Sequence, residues 1–175
     1  GVPYGGGASF LKMITTELKA QLAQRYRVDP SQSILFGASA GGPAALACGY
    51  QTALLARIAG EVYTVERVGA LVAKARRNLQ ALKVKNVRLM HGDGTADLGE
   101  DLQFDAIVVT AGTTHVPTGL YRYLKPGGRM VLPLAQHGEQ GDGVQRLTVI
   151  DATPDGYREQ TFDAVRFVPL LPGLA

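Results

Sequence analysis

Hydrophobic residues recur along this chain with two different periods, which predict helices and strands in alternation. Apolar positions three or four residues apart predict helices at residues 9–26, 43–59, 68–82 and 116–124. Short apolar runs predict strands at residues 33–36, 61–66, 87–91, 104–110 and 129–134, then a hairpin of 144–151 and 157–170. Such alternation predicts an α/β fold with a doubly wound, mostly parallel sheet of about seven strands and a C-terminal antiparallel hairpin.

The composition is typical of a soluble globular protein. Apolar residues make up 46% of the chain and charged residues 19%. The apolar runs are too short and too interrupted to cross a bilayer, and no signal peptide is recognisable. A length of 175 residues suits one domain, so we predict a single domain over residues 1–175, a cytoplasmic location and no membrane partner.

The charged, cysteine and histidine residues indicate which partners and which kinds of site the chain lacks. The net charge is +3, and five basic residues fall mostly in one amphipathic segment, Lys74, Arg76, Arg77, Lys83 and Lys85. No aromatic residues interleave them, so we interpret this face as solvated and predict no nucleic-acid partner. The single Cys48 excludes an intramolecular disulfide and fits a reducing compartment. No two of the three histidines share a helix or strand face, so no metal site is predicted.

A glycine-rich loop after the strand at 33–36 supports two incompatible chemistries. As G-x-G-x-G, with Ser39 in the middle position between Gly37 and Gly41, it is a nucleotide-binding turn. Small residues there let backbone N–H groups and a helix N-terminus approach a ligand. Taken literally as G-x-S-x-G, the same residues form a nucleophile elbow that exposes Ser39 above the sheet.

The elbow interpretation requires a general base. Of the histidines at positions 91, 115 and 137, His115 follows the strand expected beside that of Ser39, and it is the candidate base. Hydrolases also require an acid that orients the histidine, and a serine without both partners is an ordinary serine. A serine esterase that uses Ser39 and His115 therefore stays the alternative.

A series of motifs between residues 49 and 171 resembles one family. In order they are GYQTALLA, EVYTVERV, ARRNLQAL, NVRLMHGDGT, FDAIVVTAG, LKPGGRMVLPL and VRFVPLLPG. Together they resemble protein-L-isoaspartate O-methyltransferases. The resemblance implies a Rossmann-like methyltransferase sheet, S-adenosylmethionine as cofactor, and a carboxylate of a protein or peptide as the methyl acceptor.

A second resemblance covers residues 5–47. The stretch GGGASFLKMITTELKAQLAQRYRVDPSQSILFGASAGGPAALA resembles enterochelin-esterase-like α/β hydrolases up to and through their nucleophile elbow. Because the two families are unrelated, the chain is interpreted as a chimera with its joint near residues 46–50. Residues 1–48 are then a hydrolase-like helix-strand-loop-helix unit, and residues 49–175 are the methyltransferase-like remainder.

This chimera interpretation predicts the position of the joined strand. The hydrolase-like strand takes the place of the methyltransferase's first strand, so residues 33–36 should lie between 61–66 and 104–110, parallel to both. We expect the chain to be a monomer or a dimer that exchanges N-terminal segments.

The methyltransferase resemblance also implies a cofactor site, residue by residue. Glu66 ends its strand where an acidic side chain accepts hydrogen bonds from ribose hydroxyls. Asp93 corresponds to the residue that meets the adenine amino group, with Gly94 beside it. Thr110 ends the fourth strand and lines the pocket, while Gly37, Ser39 and Gly41 form the loop. No catalytic residue is assigned for methyl transfer.

The chain departs from the family pattern in two places. Residues 45–49 lack two expected glycines, and the family's threonine-isoleucine-serine-glutamine-proline segment is missing. We therefore expect weak S-adenosylmethionine binding and weakened or lost activity. A recombined scaffold without a defined activity is the second alternative.

Overall fold

Strand β1 lies in the interior of the sheet, third of the seven strands that the structure describes. The computed structural model describes residues 29–38, 49–135 and 144–175. These contain seven strands, β1 (Asp29–Ala38), β2 (Ala59–Glu66), β3 (Val87–His91), β4 (Phe104–Val109), β5 (Leu124–Ala135), β6 (Gln145–Thr153) and β7 (Gly156–Val165). The order across the sheet is β3-β2-β1-β4-β5-β6-β7.

The strand pairing confirms the predicted neighbours of β1. Phe36 pairs with Thr64 of β2 and with Val108 of β4, and both pairings are parallel. Strands β3 and β5 extend the parallel part, whereas β6 and β7 run antiparallel to their neighbours. The first five strands therefore end at one common edge of the sheet, which we call the carboxyl edge.

Two predicted helices are shorter in the structure. The described part of the predicted helix 43–59 contains only α1 (Tyr50–Leu55), because Ala59 pairs with Asp29 and begins β2. Gly49 precedes α1 with a φ of +84°, a left-handed conformation that glycine adopts without strain. In place of the helix predicted at 116–124 there is a 3₁₀ helix (Thr118–Tyr123), since Leu124 pairs with Phe104 and starts β5.

Other boundaries agree closely or differ at strand ends. Strand β3 coincides with the predicted 87–91, and α2 (Gly69–Ala81) falls within the predicted 68–82. Residues 125–128, which precede the predicted strand 129–134, belong to β5 and form an irregularity in it, where they lie opposite the single residue Asp105. Strand β7 ends at Val165 rather than at 170, because Pro169 instead bridges to Gly112. The helix predicted at 9–26 lies outside the described residues.

Apolar side chains from the central strands form the main core. Its largest fully buried members are Tyr123, Phe104, Ile107, Met130, Leu132 and Ile150. Each such side chain contributes about 1.5–3 kcal/mol when it leaves water, and together they fix the strands that end at the carboxyl edge. In the part of the chain that the structure describes, no helix is long and apolar enough to span a membrane.

Candidate functional site

The carboxyl edge brings several of the predicted site residues together. Glu66, the last residue of β2, pairs with Ala38 at the end of β1 and with His91 at the end of β3. Gly37 pairs with Val109, and Thr110 follows directly. In open α/β sheets ligands bind at this edge. Ser39 and Gly41, the other two predicted loop residues, lie outside the described residues.

Glu66 is a buried carboxylate at this edge. Its side chain is 6% exposed, and Oε1 accepts a hydrogen bond of 2.8 Å from the backbone N–H of Val68. Burial raises the pKa of Glu66 above its ordinary value, although hydrogen bonds from the Val68 and Arg67 N–H groups act in the opposite direction. A buried acceptor with an elevated pKa gains from donors supplied by a ligand, and ribose hydroxyls are such donors.

Asp93 uses both carboxylate oxygens within the protein. Oδ1 accepts hydrogen bonds from the N–H and the hydroxyl of Thr95, at 2.8 and 2.7 Å. Oδ2 accepts one of 2.6 Å from the N–H of Gly173. Burial alone would raise the pKa of Asp93, but these hydrogen bonds and the nearby Arg67 outweigh it and lower the pKa. Beside Asp93, a Cβ added to Gly94 would meet no atom of the described residues within 4 Å, so this side of the loop is open toward them.

Residues 172–175, which we call the C-terminal strap, reach across the ends of β2 and β3. Arg67 Nε donates to the carbonyl of Gly173 at 2.9 Å. The N–H of Ala175 donates to the Arg67 carbonyl, and the N–H of Gly69 donates to the Ala175 carbonyl, both at 2.8 Å. More than 100 residues separate these partners, and no local pattern in the sequence pointed to their contact.

The segment before the strap is held at the end of β4. Gly112 donates its N–H to the Val168 carbonyl at 2.7 Å and accepts one from Leu170 at 2.8 Å. Gln145 Oε1 accepts the N–H of Phe167 at 2.8 Å. A Cβ on Gly112 would lie 2.8 Å from the end of the Gln145 side chain, so a larger residue here would displace the amide that binds Phe167.

A cavity of about 440 Å³ opens next to this segment. Its wall includes Thr95, Gly112, His115, Leu170 and Pro172. Of the predicted cofactor-binding residues that the structure describes, none lines the cavity, whereas His115, the candidate esterase base, does. His115 is exposed, and its Nδ1 lies 3.1 Å from the Thr114 hydroxyl. Within the described ranges, no three His, Cys, Asp or Glu side chains group in a way that could hold a metal ion.

The family described as protein-L-isoaspartate(D-aspartate) O-methyltransferase matches residues 30–174. This match begins at residue 30 rather than at 49, and so includes β1, which the sequence analysis assigned to the hydrolase-like segment.

Curated relatives agree with the family match. A protein-L-isoaspartate O-methyltransferase of Dechloromonas aromatica is 51% identical over 72% of this chain and 56% of its own length. One from Chromobacterium violaceum is 48% identical over 72% of this chain and 54% of its own length. The chain therefore spans about half the length of the curated relatives it matches.

Among solved structures, a protein-L-isoaspartate O-methyltransferase aligns with a TM-score of 0.69 at 25% identity, covering 90% of this chain and 47% of that one. A Plasmodium falciparum protein assigned to the same class, solved with S-adenosyl-L-homocysteine, aligns with a TM-score of 0.64 at 21% identity, covering 95% of this chain and 75% of that one. The fold is thus the Rossmann-like methyltransferase fold.

Proposed function

The chain belongs to the protein-L-isoaspartate(D-aspartate) O-methyltransferase family, and from this membership we propose that it binds S-adenosylmethionine at the carboxyl edge of its sheet. The observation that carries the proposal is the buried carboxylate of Glu66 at the end of β2, next to the ends of β1 and β3. A buried acceptor at this position suits the hydroxyls of a ribose.

Each predicted residue has a proposed part in holding the cofactor. Glu66 accepts hydrogen bonds from the ribose hydroxyls, and Asp93 accepts one from the adenine amino group across the open side of Gly94. Thr110 lines the pocket at the end of β4. The loop with Gly37, Ser39 and Gly41 lets backbone N–H groups approach the rest of the ligand.

The proposed acceptor is a carboxylate of a protein or peptide. S-adenosylmethionine supplies a methyl group on a positively charged sulfur, and a carboxylate oxygen is itself nucleophilic enough to take it. The chain's contribution is then alignment of donor and acceptor. The 440 Å³ cavity beside Gly112 and Thr95 gives the acceptor room next to the cofactor residues.

We also propose that this chain alone transfers methyl groups weakly or not at all. Ser39 stands at the middle position of the glycine loop, and the family's threonine-isoleucine-serine-glutamine-proline segment is missing. A recombination with its joint near residues 46–50, within one domain, accounts for the serine in the loop and for the missing segment. The alternative is a recombined scaffold without a defined activity.

The oligomeric state is a separate proposal, a monomer or a segment-swapped dimer. Size-exclusion chromatography distinguishes the two.

A calorimetric titration with S-adenosylhomocysteine tests the cofactor proposal. Wild type should bind, and Glu66→Ala should weaken binding about tenfold or more, because a hydrogen bond to a charged group is lost. Glu61→Ala is the matched control, since Glu61 lies on the same strand at its other end and pairs with Arg88 at the surface. Absence of binding by wild type, or equal affinities of wild type and Glu66→Ala, would contradict the proposal.

A further inference from the structure

The C-terminal strap hydrogen-bonds the carboxylate of Asp93, which the proposed function assigns to the cofactor. Oδ2 of Asp93 receives the Gly173 N–H at 2.6 Å, and Oδ1 receives two donors from Thr95. The proposed function assigns the same carboxylate to the adenine amino group. A peptide N–H and an aromatic amino group are chemically similar donors, so Gly173 imitates the group that the site is proposed to bind.

The strap is built to be released. Its contacts are mostly polar, from Arg67 and Gly69 to the backbone of Gly173 and Ala175. Leu174 in the strap is 62% exposed and Leu171, just before it, is 47% exposed, so the strap buries little apolar surface. Segments held by a few solvent-accessible hydrogen bonds open locally at a small fraction of the cost of global unfolding.

We propose that the C-terminal strap and the adenine amino group compete for Asp93, so that the strap holds the site in a low-affinity state until it is displaced. This regulation rests on the proposed function, because it takes Asp93 as part of the adenosine site. The strap is attached to the same chain and therefore acts as an internal competitor of constant effective concentration.

One substitution weakens the strap without touching the site. Gly173 has a φ of +79°, and a Cβ added there would meet no atom within 4 Å in the part of the chain that the structure describes. Gly173→Ala therefore strains only the strap's backbone, because L-residues disfavour this conformation. Gly127 offers a matched control, with a φ of +76° and equally open surroundings, in the irregular part of β5 opposite the first residues of β4.

The experiment measures S-adenosylhomocysteine affinity by calorimetry for wild type, Gly173→Ala and Gly127→Ala. We expect Gly173→Ala to bind about fivefold more tightly than wild type, and Gly127→Ala to bind like wild type. Amide hydrogen exchange on wild type adds an independent readout. Saturation with S-adenosylhomocysteine should speed exchange at Gly173 and Ala175, which the ligand would release.

The outcomes separate this proposal from the proposed function. If wild type binds but Gly173→Ala binds equally or more weakly, and the two amides keep or increase their protection, the strap does not compete and the cofactor site stands. If none of the three proteins binds, both proposals fail. If both glycine variants gain affinity equally, the gain is not specific to the strap and the competition is refuted.

Discussion

The hydroxyl of Tyr123 donates a hydrogen bond of 2.7 Å to Oδ1 of Asp97. Tyr123 is 2% exposed and belongs to the 3₁₀ helix, whereas Asp97 belongs to the loop that follows β3 and carries Asp93. The same hydroxyl accepts the N–H of Leu98 at 2.8 Å and an Arg122 guanidinium N–H at 2.6 Å. This contact fastens the proposed adenosine loop to the body of the domain.

Removing that hydroxyl should destabilise the protein. Tyr123→Phe leaves the Leu98 N–H without its acceptor and Asp97 without one donor, which lowers the free energy of unfolding by about 1–3 kcal/mol. Urea denaturation measures the change. Tyr157→Phe is the control, since Tyr157 is 49% exposed and its ring can keep stacking on Tyr121. Equal losses in both variants would show that the Tyr123 hydroxyl has no special role.

Asp97 should make the stability depend on acid. Hydrogen bonds from the Gly99 N–H, the Tyr123 hydroxyl and Arg122 lower the pKa of Asp97 from 3.8 to about 2. A carboxylate whose folded pKa is lowered stabilises the fold above its unfolded pKa, and this contribution disappears as the pH falls from about 4 to about 2. The melting temperature of wild type should thus fall more steeply over this range than that of Asp97→Asn. Parallel curves by circular dichroism would contradict the assignment.

We expect the Glu66 carboxylate to strengthen S-adenosylhomocysteine binding while lowering the free energy of unfolding. Burial raises the pKa of Glu66, so at pH values above this pKa the ionised side chain lowers the free energy of unfolding. This loss of stability disappears as the pH falls through the pKa and the carboxylate becomes protonated. Glu66→Gln should therefore raise the unfolding free energy at pH 7 while weakening S-adenosylhomocysteine binding. The measurements are urea denaturation and calorimetry. A less stable variant that binds normally would make Glu66 a structural residue only.

The central strands could be predicted because the apolar runs in the sequence and the family resemblance indicate the same strands. The run at 87–91 is mostly apolar, with Asn86 before it and Gly92 after it, and it forms β3 with those bounds. The position of β1 followed from the family resemblance, since the joined strand had one place to fill, and its pairing with β2 and β4 confirms this. Helix ends were less predictable, because pairing of Ala59 with Asp29 overrides the helix propensity of the alanines around it.

Contacts over long sequence separations escaped prediction. Nothing near Arg67 indicates that it will contact Gly173, since that contact depends on how the last ten residues cross the carboxyl edge. The family resemblance likewise predicted that Asp93 binds the cofactor, but it did not predict that the N–H of Gly173 donates a hydrogen bond to Asp93. The sequence shows which residues are polar, but it does not show which distant residues they hydrogen-bond once the chain is folded.

Ser39→Gly should strengthen cofactor binding. At the middle position of a G-x-G-x-G turn, any side chain crowds the approach of a ligand to the backbone, and glycine removes that obstacle. We expect tighter S-adenosylhomocysteine binding by calorimetry than in wild type. If Ser39→Gly gains nothing while Glu66→Ala also leaves affinity unchanged, the proposed pocket is wrong.

Ser39 should be chemically silent as a nucleophile. A reactive serine needs a base that accepts its proton and an acid that orients the base, and the members of a triad act as a unit, so an incomplete set forfeits most of the rate. Because β1 and β4 pair in parallel, both strands end at the carboxyl edge, and His115 follows β4 at that edge, which is why His115 is the residue to test. We expect no Ser39-dependent hydrolysis of short p-nitrophenyl esters and no stable labelling of Ser39 by a fluorophosphonate probe at neutral pH. Hydrolysis that Ser39→Ala and His115→Ala each abolish, with circular dichroism unchanged, would instead establish the esterase.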